Sequence, residues 1–222
     1  MSIEAALLLT ESILLLATII LVVFSIKEGR RRNSLITQID RATGTLTRME
    51  YFIAAVDAIA DANEEIRGCI TGRKPVYGDI KRVSSFVRAI HRAATRGVAV
   101  KYMLPKFQDR LYVGQLYIKA GAEVKYGKLP LVHSMRFMVI DNNLVILAVP
   151  ESKTEREMTK KGYVIPSESL AEILKSNFDS CWKEGATFQE YIKETIEQTG
   201  VTIDHLASEL ELKPRELRSI IE

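Results

Sequence analysis

The chain has 222 residues, 47% of them hydrophobic, and a net charge of +3. That length allows one substantial domain with an addition at either end, and the charge is too small to argue for nucleic-acid binding by itself. Two cysteines, Cys69 and Cys181, exclude a disulfide framework and a cysteine metal cluster and read as small buried hydrophobes.

Residues 5–26, AALLLTESILLLATIILVVFSI, have the length of a bilayer-crossing helix. Eleven Leu, Ile, Val or Phe side chains lie between Ile13 and Ile26. On an insertion scale they favour the membrane by about 3–7 kcal/mol. Glu11 opposes this, but near the outer end its carboxylate can reach the headgroups. No basic residue precedes the run, whereas Lys27, Arg30, Arg31 and Arg32 follow it. This is the pattern of a retained single-pass anchor, not of a cleaved signal peptide, and it places the rest of the chain in the cytoplasm at the cell membrane. Residues 1–33 are therefore expected to be a transmembrane anchor with a basic cytosolic flank.

The body reads as alternating helix and strand. Helix is expected over 34–64 with a break at Gly44, so that 34–47 form a helical linker. Met49, Phe52, Ile53, Val56 and Ile59 should make a buried stripe. A strand near Ile66–Ile70 precedes a helix over 81–96, with Val83, Phe86, Val87, Ile90 and Ala94 on one face and Gly97 as its C-cap residue. VAVKYMLP is the next strand, and 109–120 is a short helix closed by Gly121. AEVKYG, RFMVID and LVILAV are strands, the last two joined by a tight turn at Asn142-Asn143. Residues 151–161 read as a solvated loop and GYVIP as a final strand. Residues 167–184 form a helix facing Leu170, Ile173, Leu174, Phe178 and Trp182 inward. This alternation predicts an α/β fold with a mixed sheet flanked by helices. His91 receives no role.

Four stretches, AATRGVAVKYMLP, YIKAGAEVKYG, HSMRFMVIDNNLVIL and FDSCW, follow one another across residues 48–186. In this order they resemble the phospholipase D superfamily in its half-size, single-motif form. The resemblance implies a phospholipase D-like domain over 48–186 and homodimers that build one site from two chains. It also implies phosphodiester chemistry at a His-x-Lys-x4-Asp motif, with no metal and no cofactor. The family's histidine forms the covalent phosphoenzyme or protonates the leaving group, and its lysine holds phosphate oxygens.

The motif departs from that pattern here. Arg136 and Asp141 keep the Lys-x4-Asp interval with arginine in place of lysine, but the histidine position falls on Ser134, and His133 comes one residue early. The small residue that follows is Ala148, the hydroxyl position holds Val149, and Glu151 stands where asparagine is frequent. Residues three apart on a strand point to opposite faces, so His133 and Arg136 meet one phosphate only if a bulge intervenes at Ser134-Met135. The candidate catalytic residues are thus His133, Ser134, Arg136 and Asp141, in a degenerate motif, with Arg136 as a phosphate clamp. Three departures favour a binding or regulatory module for a phosphate-bearing ligand or partner protein. An active homodimeric nuclease or phospholipase is the alternative.

Residues 187–222 open with a helix over 188–199. TIDHLASELELKPRELRSII then resembles a helix-turn-helix, with Leu206, Ala207, Leu210, Leu212, Leu217 and Ile220 as its core, Pro214 in the first turn of the second helix, and Glu211 where a turn glycine is usual. The resemblance would make Lys213, Arg215 and Arg218 the nucleic-acid contacts of a membrane-tethered regulator. Eight acidic and four basic side chains in 187–222, a net −4, point instead to a helical docking module. His205 is expected to cap or pack.

Overall fold

The structure is a computed structural model that describes residues 46–75, 80–129, 131–132, 135–150 and 159–221, together with 14–15, 18–19 and 21–22. The chain divides into two units, Met1–Gly44 and Thr45–Glu222. In the first, the six described positions are helical, and Leu14, Leu15, Ile19, Leu21 and Val22 are each at least 50% exposed. Among the described residues no helix is long and apolar enough to cross a membrane. Most of the expected 5–26 span, its basic flank and the linker up to residue 45 lie outside them.

In the second unit, Leu46 exchanges both backbone hydrogen bonds with Gly162, at 2.9 and 3.1 Å. The end of the expected helical linker is therefore extended, not helical. Thr47 then starts helix α1 (Arg48–Asp61). Its hydroxyl accepts from the Glu50 N–H while the Glu50 carboxylate accepts from the Thr47 N–H, a reciprocal capping box. The elements that follow are β1 (Glu65–Cys69), α2 (Ile80–Thr95), β2 (Ala99–Pro105), α3 (Leu111–Lys119), β3 (Glu123–Gly127), β4 (Arg136–Ile140), β5 (Leu144–Pro150), β6 (Thr159–Pro166) and α4 (Glu168–Glu184). Then come β7 (Ala186–Thr187), α5 (Phe188–Thr199), α6 (Ile203–Glu209) and α7 (Pro214–Ile221).

The strands form one mixed seven-stranded sheet in the order β6-β5-β4-β1-β2-β3-β7. β1, β2 and β3 run parallel through the helical crossovers α2 and α3, whereas β4, β5 and β6 form an antiparallel meander on the β1 edge. Strand alternation divides β4 between two layers. Met138 and Ile140 face the core shared with Ile59, Phe86, Ile90 and Tyr102, and Phe137 and Val139 face the other side. α4 buries Ala171, Leu174 and Phe178 and lies against β1 to β5. Gly68 leaves room for the Tyr102 ring, since a Cβ there would come within 2.4 Å of its Cε1.

Several expectations are corrected. The buried face of α1 is Ala55, Ala58 and Ile59, while Met49 and Ile53 are 50% and 54% exposed. The alanines let the helix axis approach the sheet, and that rotates the larger side chains outward. Ile173 of α4 is likewise 65% exposed. β6 begins at Thr159, inside the expected loop, because pairing with β5 extends it. As an edge strand it needs no apolar alternation. The β4–β5 turn centres on Asp141-Asn142 (φ 47° and 58°), one residue earlier than expected.

The C-terminal helices pack on the same body. Leu206, Ala207, Leu210 and Leu217 join the main core, and Tyr126 stacks on Tyr191 with ring centres 4.6 Å apart. Thr202, not His205, caps α6. His205 is exposed and pairs with Glu209 at 3.5 Å.

Candidate functional site

In an open α/β sheet, loops at the carboxyl ends of parallel strands converge on one edge, where ligands characteristically bind. β4 runs antiparallel to β1 with Phe137 opposite Cys69, so the start of β4 reaches that same edge. The described loops there carry Arg73 and Lys74 after β1, Lys106 and Arg110 after β2, and Lys128 after β3, and Arg136 opens β4. Asp109 is the one acid in these loop segments (70–75, 106–110 and 128–132).

Arg136 is, with Arg110, one of the two buried cations among these. It is 8% exposed, opposite Ala148 on β5, on the face shared with Met138. Burial lowers its pKa, Tyr51 of α1 opposes that shift, and the nearby Arg110 guanidinium adds to it. An arginine starts so high that it remains charged at neutral pH. Burial pushes the Tyr51 hydroxyl up to about 12, against the pull of Arg136, so it remains a neutral hydroxyl. Arg110 is 5% exposed, pairs with Asp109 at 2.6 Å and lies over the Phe107 ring, 5.4 Å from its centre.

Asp141 sits at the far end of β4, about 16 Å from Arg136 at the usual rise per strand residue. Its Oδ1 accepts from the N–H groups of Glu64 (2.8 Å) and Glu65 (3.1 Å), and its Oδ2 accepts from that of Asn63 (2.8 Å). Burial alone would raise its pKa, but these donors outweigh burial and hold it below the usual carboxylate range. The carboxylate ties the β4–β5 turn to the start of β1. His133, Ser134 and Glu151 lie outside the described residues. Ala148 is buried, Val149 half-buried.

Lys213, Arg215 and Arg218 are all exposed, around α7. Two acidic residues of the tail, Glu194 and Glu209, meet the cationic edge. Glu194 pairs with Lys106, the Glu209 carboxylate accepts from Gln108 at 2.7 Å, and the Glu209 carbonyl accepts from Lys74 at 3.2 Å. A cleft of about 440 Å³ beside this edge is lined by Lys74, Phe107, Gln108, Tyr112 and Glu209 among others.

Reasoning from the motif singled out Arg136 and missed Arg110, Lys106, Arg73, Lys74 and Lys128. A signal for them existed. Each follows the end of a parallel strand, so the rule that places ligands at that edge would have gathered them.

No family model and no curated protein matches this sequence. Phospholipase D family members are among the solved structures that resemble it. Nuc from Salmonella typhimurium, a phospholipase D family member, is 15% identical with a TM-score of 0.47, over 61% of this chain and 88% of that one. NucT from Helicobacter pylori is 14% identical with a TM-score of 0.48, over 65% and 98%. TrmBL2, an archaeal chromatin protein, is 14% identical with a TM-score of 0.47, over 72% and 62%.

Proposed function

We propose that this chain is a membrane-anchored, phospholipase D-like protein that binds a phosphate-bearing ligand at the cytosolic face, with its phosphodiester chemistry impaired. The observation that carries the reading is Arg136, a buried guanidinium at the motif's lysine position, on an edge that gathers five further cations. Arg110, which pairs with Asp109, acts electrostatically on Arg136, so the two positive groups bear on one site. Arginine binds two phosphate oxygens with its planar fork.

The impairment rests on the sequence. With Ser134 at the histidine position, the motif lacks its covalent nucleophile, a loss worth a factor on the order of 10⁴ or more. The membrane location rests on residues 5–32 and gains support from the exposed apolar side chains of Leu14, Leu15, Ile19, Leu21 and Val22. Homodimerisation follows from the half-size form. For the tail, the contacts of Glu194 and Glu209 with edge residues favour a docking role over DNA binding.

Inorganic phosphate titrated into the purified protein tests the site. Arg136→Ala should weaken binding roughly tenfold or more, because each charge-assisted hydrogen bond is worth about 1.5–3 kcal/mol. His133→Ala should change nothing, no phosphodiester, nucleic acid or phospholipid should turn over above background, and light scattering should show a dimer at tens of micromolar. Turnover that His133→Ala abolishes would make the protein an enzyme and overturn the proposal. A monomer would remove the homodimer. Unchanged phosphate binding in Arg136→Ala would remove the site.

A further inference from the structure

Helix α2 and the loop that closes it, residues 80–97, carry five Lys or Arg side chains and no Asp or Glu. The phosphate-binding edge uses none of them. Phe86, Ala89, Ile90 and Ala93 are buried. At 100° per residue, Lys81, Arg88 and Arg92 fall within about 40° of one another on the outer side. All three are exposed. Arg96 is spent differently, on the carbonyls of Ala60 and Ala62 at 2.7 and 2.9 Å.

Those two bonds also orient the neighbouring helix. Arg96 meets the end of α1, and Phe86 meets Phe52 nearer its start, with ring centres 6.5 Å apart. α1 and α2 therefore run side by side in the same direction. By the same helical geometry, Met49 and Ile53 lie on the outer flank of α1 that adjoins α2. They are the two large apolar side chains of α1 that stay at least half exposed. Glu50, Asp57 and Asp61 point further round, away from α2.

We infer that the outer face of α1 and α2 docks on an anionic lipid surface, with Lys81, Arg88 and Arg92 among the headgroups and Met49 and Ile53 dipping into the interface. Charge complementarity selects an anionic partner, and the apolar pair selects a bilayer over a nucleic acid. A phosphodiester backbone rewards cations but gives two exposed aliphatic side chains nothing to displace water against, whereas a lipid interface rewards both. The chain's layout suits this. Residues 27–47 span at most about 70–75 Å if fully extended, which keeps α1 within reach of a bilayer that holds residues 5–26. The inference rests on the membrane location proposed above, but not on the phosphate site.

The fragment 45–222 holds the whole sheet and the main buried core, and it lacks the anchor, so any lipid binding must come from its own surface. Co-sedimentation with phosphatidylcholine vesicles, with and without a one-third share of phosphatidylserine, reads that binding. Binding is expected only to the anionic vesicles and should weaken with salt. A basic residue at such a surface is worth roughly fivefold, so Arg88→Gln with Arg92→Gln should lose about 25-fold. Met49→Ser with Ile53→Ser should weaken binding several-fold without changing its salt dependence. Arg136→Ala should bind vesicles as the native fragment does, which separates this face from the phosphate site. No binding to anionic vesicles overturns the docking face. So does tighter binding to duplex DNA that Met49→Ser with Ile53→Ser leaves untouched, because the face is then a nucleic-acid surface. Neither result touches the anchor or Arg136.

Discussion

Asp141 offers the sharpest test of how the candidate motif is used. In the folded chain it accepts three backbone N–H groups, at 2.8, 2.8 and 3.1 Å, and so serves as a tie between the β4–β5 turn and the start of β1. Truncating a charged acceptor costs about 1.5–3 kcal/mol per hydrogen bond when the donors are left dry. Here the site is half-buried and water can replace part of the loss, so about 1 kcal/mol per donor is the fairer figure. Asp141→Gly should then lose about 3 kcal/mol, and glycine accepts the native φ of 47° without strain. Asp141→Asn, which keeps one acceptor oxygen and tolerates that φ, should lose about 1–2 kcal/mol. Urea unfolding of the 45–222 fragment at neutral pH measures both. The pH dependence has a definite sign. The folded-state pKa lies below the unfolded value, so the contribution is complete above about pH 4 and is lost as pH falls through the folded value. The gap between the native fragment and Asp141→Asn should therefore close on acidification. If both variants unfold within about 0.5 kcal/mol of the native fragment at neutral pH, the surface-mutation range, the tie does not exist.

Glu211 occupies a left-handed conformation at φ 56°, and its side chain gives up little, an exposed 3.3 Å hydrogen bond from Tyr112. Glu211→Gly should relieve about 1 kcal/mol of backbone strain and raise the melting temperature by about 2–4 °C; a lower melting temperature would contradict this account of the α6–α7 turn. For topology, a reporter active only outside the cytoplasm, fused after Glu222, should stay silent. Robust activity would reverse the orientation read from Lys27–Arg32.

The sequence by itself determined what is periodic or local. Helical spacing in 81–96, the short unbroken apolar runs in RFMVID and LVILAV, and the glycines at 97 and 121 located the elements, because each signal is carried by neighbours within a few residues. Gly97 and Gly121 do adopt positive φ (92° and 98°), as C-terminal positions after a helix require. Glu211 in the position of a turn glycine was visible in the same way. Rotation of a helix on its sheet was not. Which side of α1 goes down depends on how closely Ala55 and Ala58 let it approach, a packing quantity shared with residues over 100 positions away, such as Gly162 against Tyr51. The strand pairing that carries β6 out to Thr159 is equally non-local. The candidate site divides along the same line. Arg136 and Asp141 were legible as a spaced pair, yet only the fold separates them along β4 and turns the Asp141 carboxylate towards three backbone amides. Arg110 and Arg136 are 26 positions apart and share no motif. They come to one end of the sheet because the loop after parallel β2 and the start of antiparallel β4 both lie there, and sequence spacing carries no trace of that convergence.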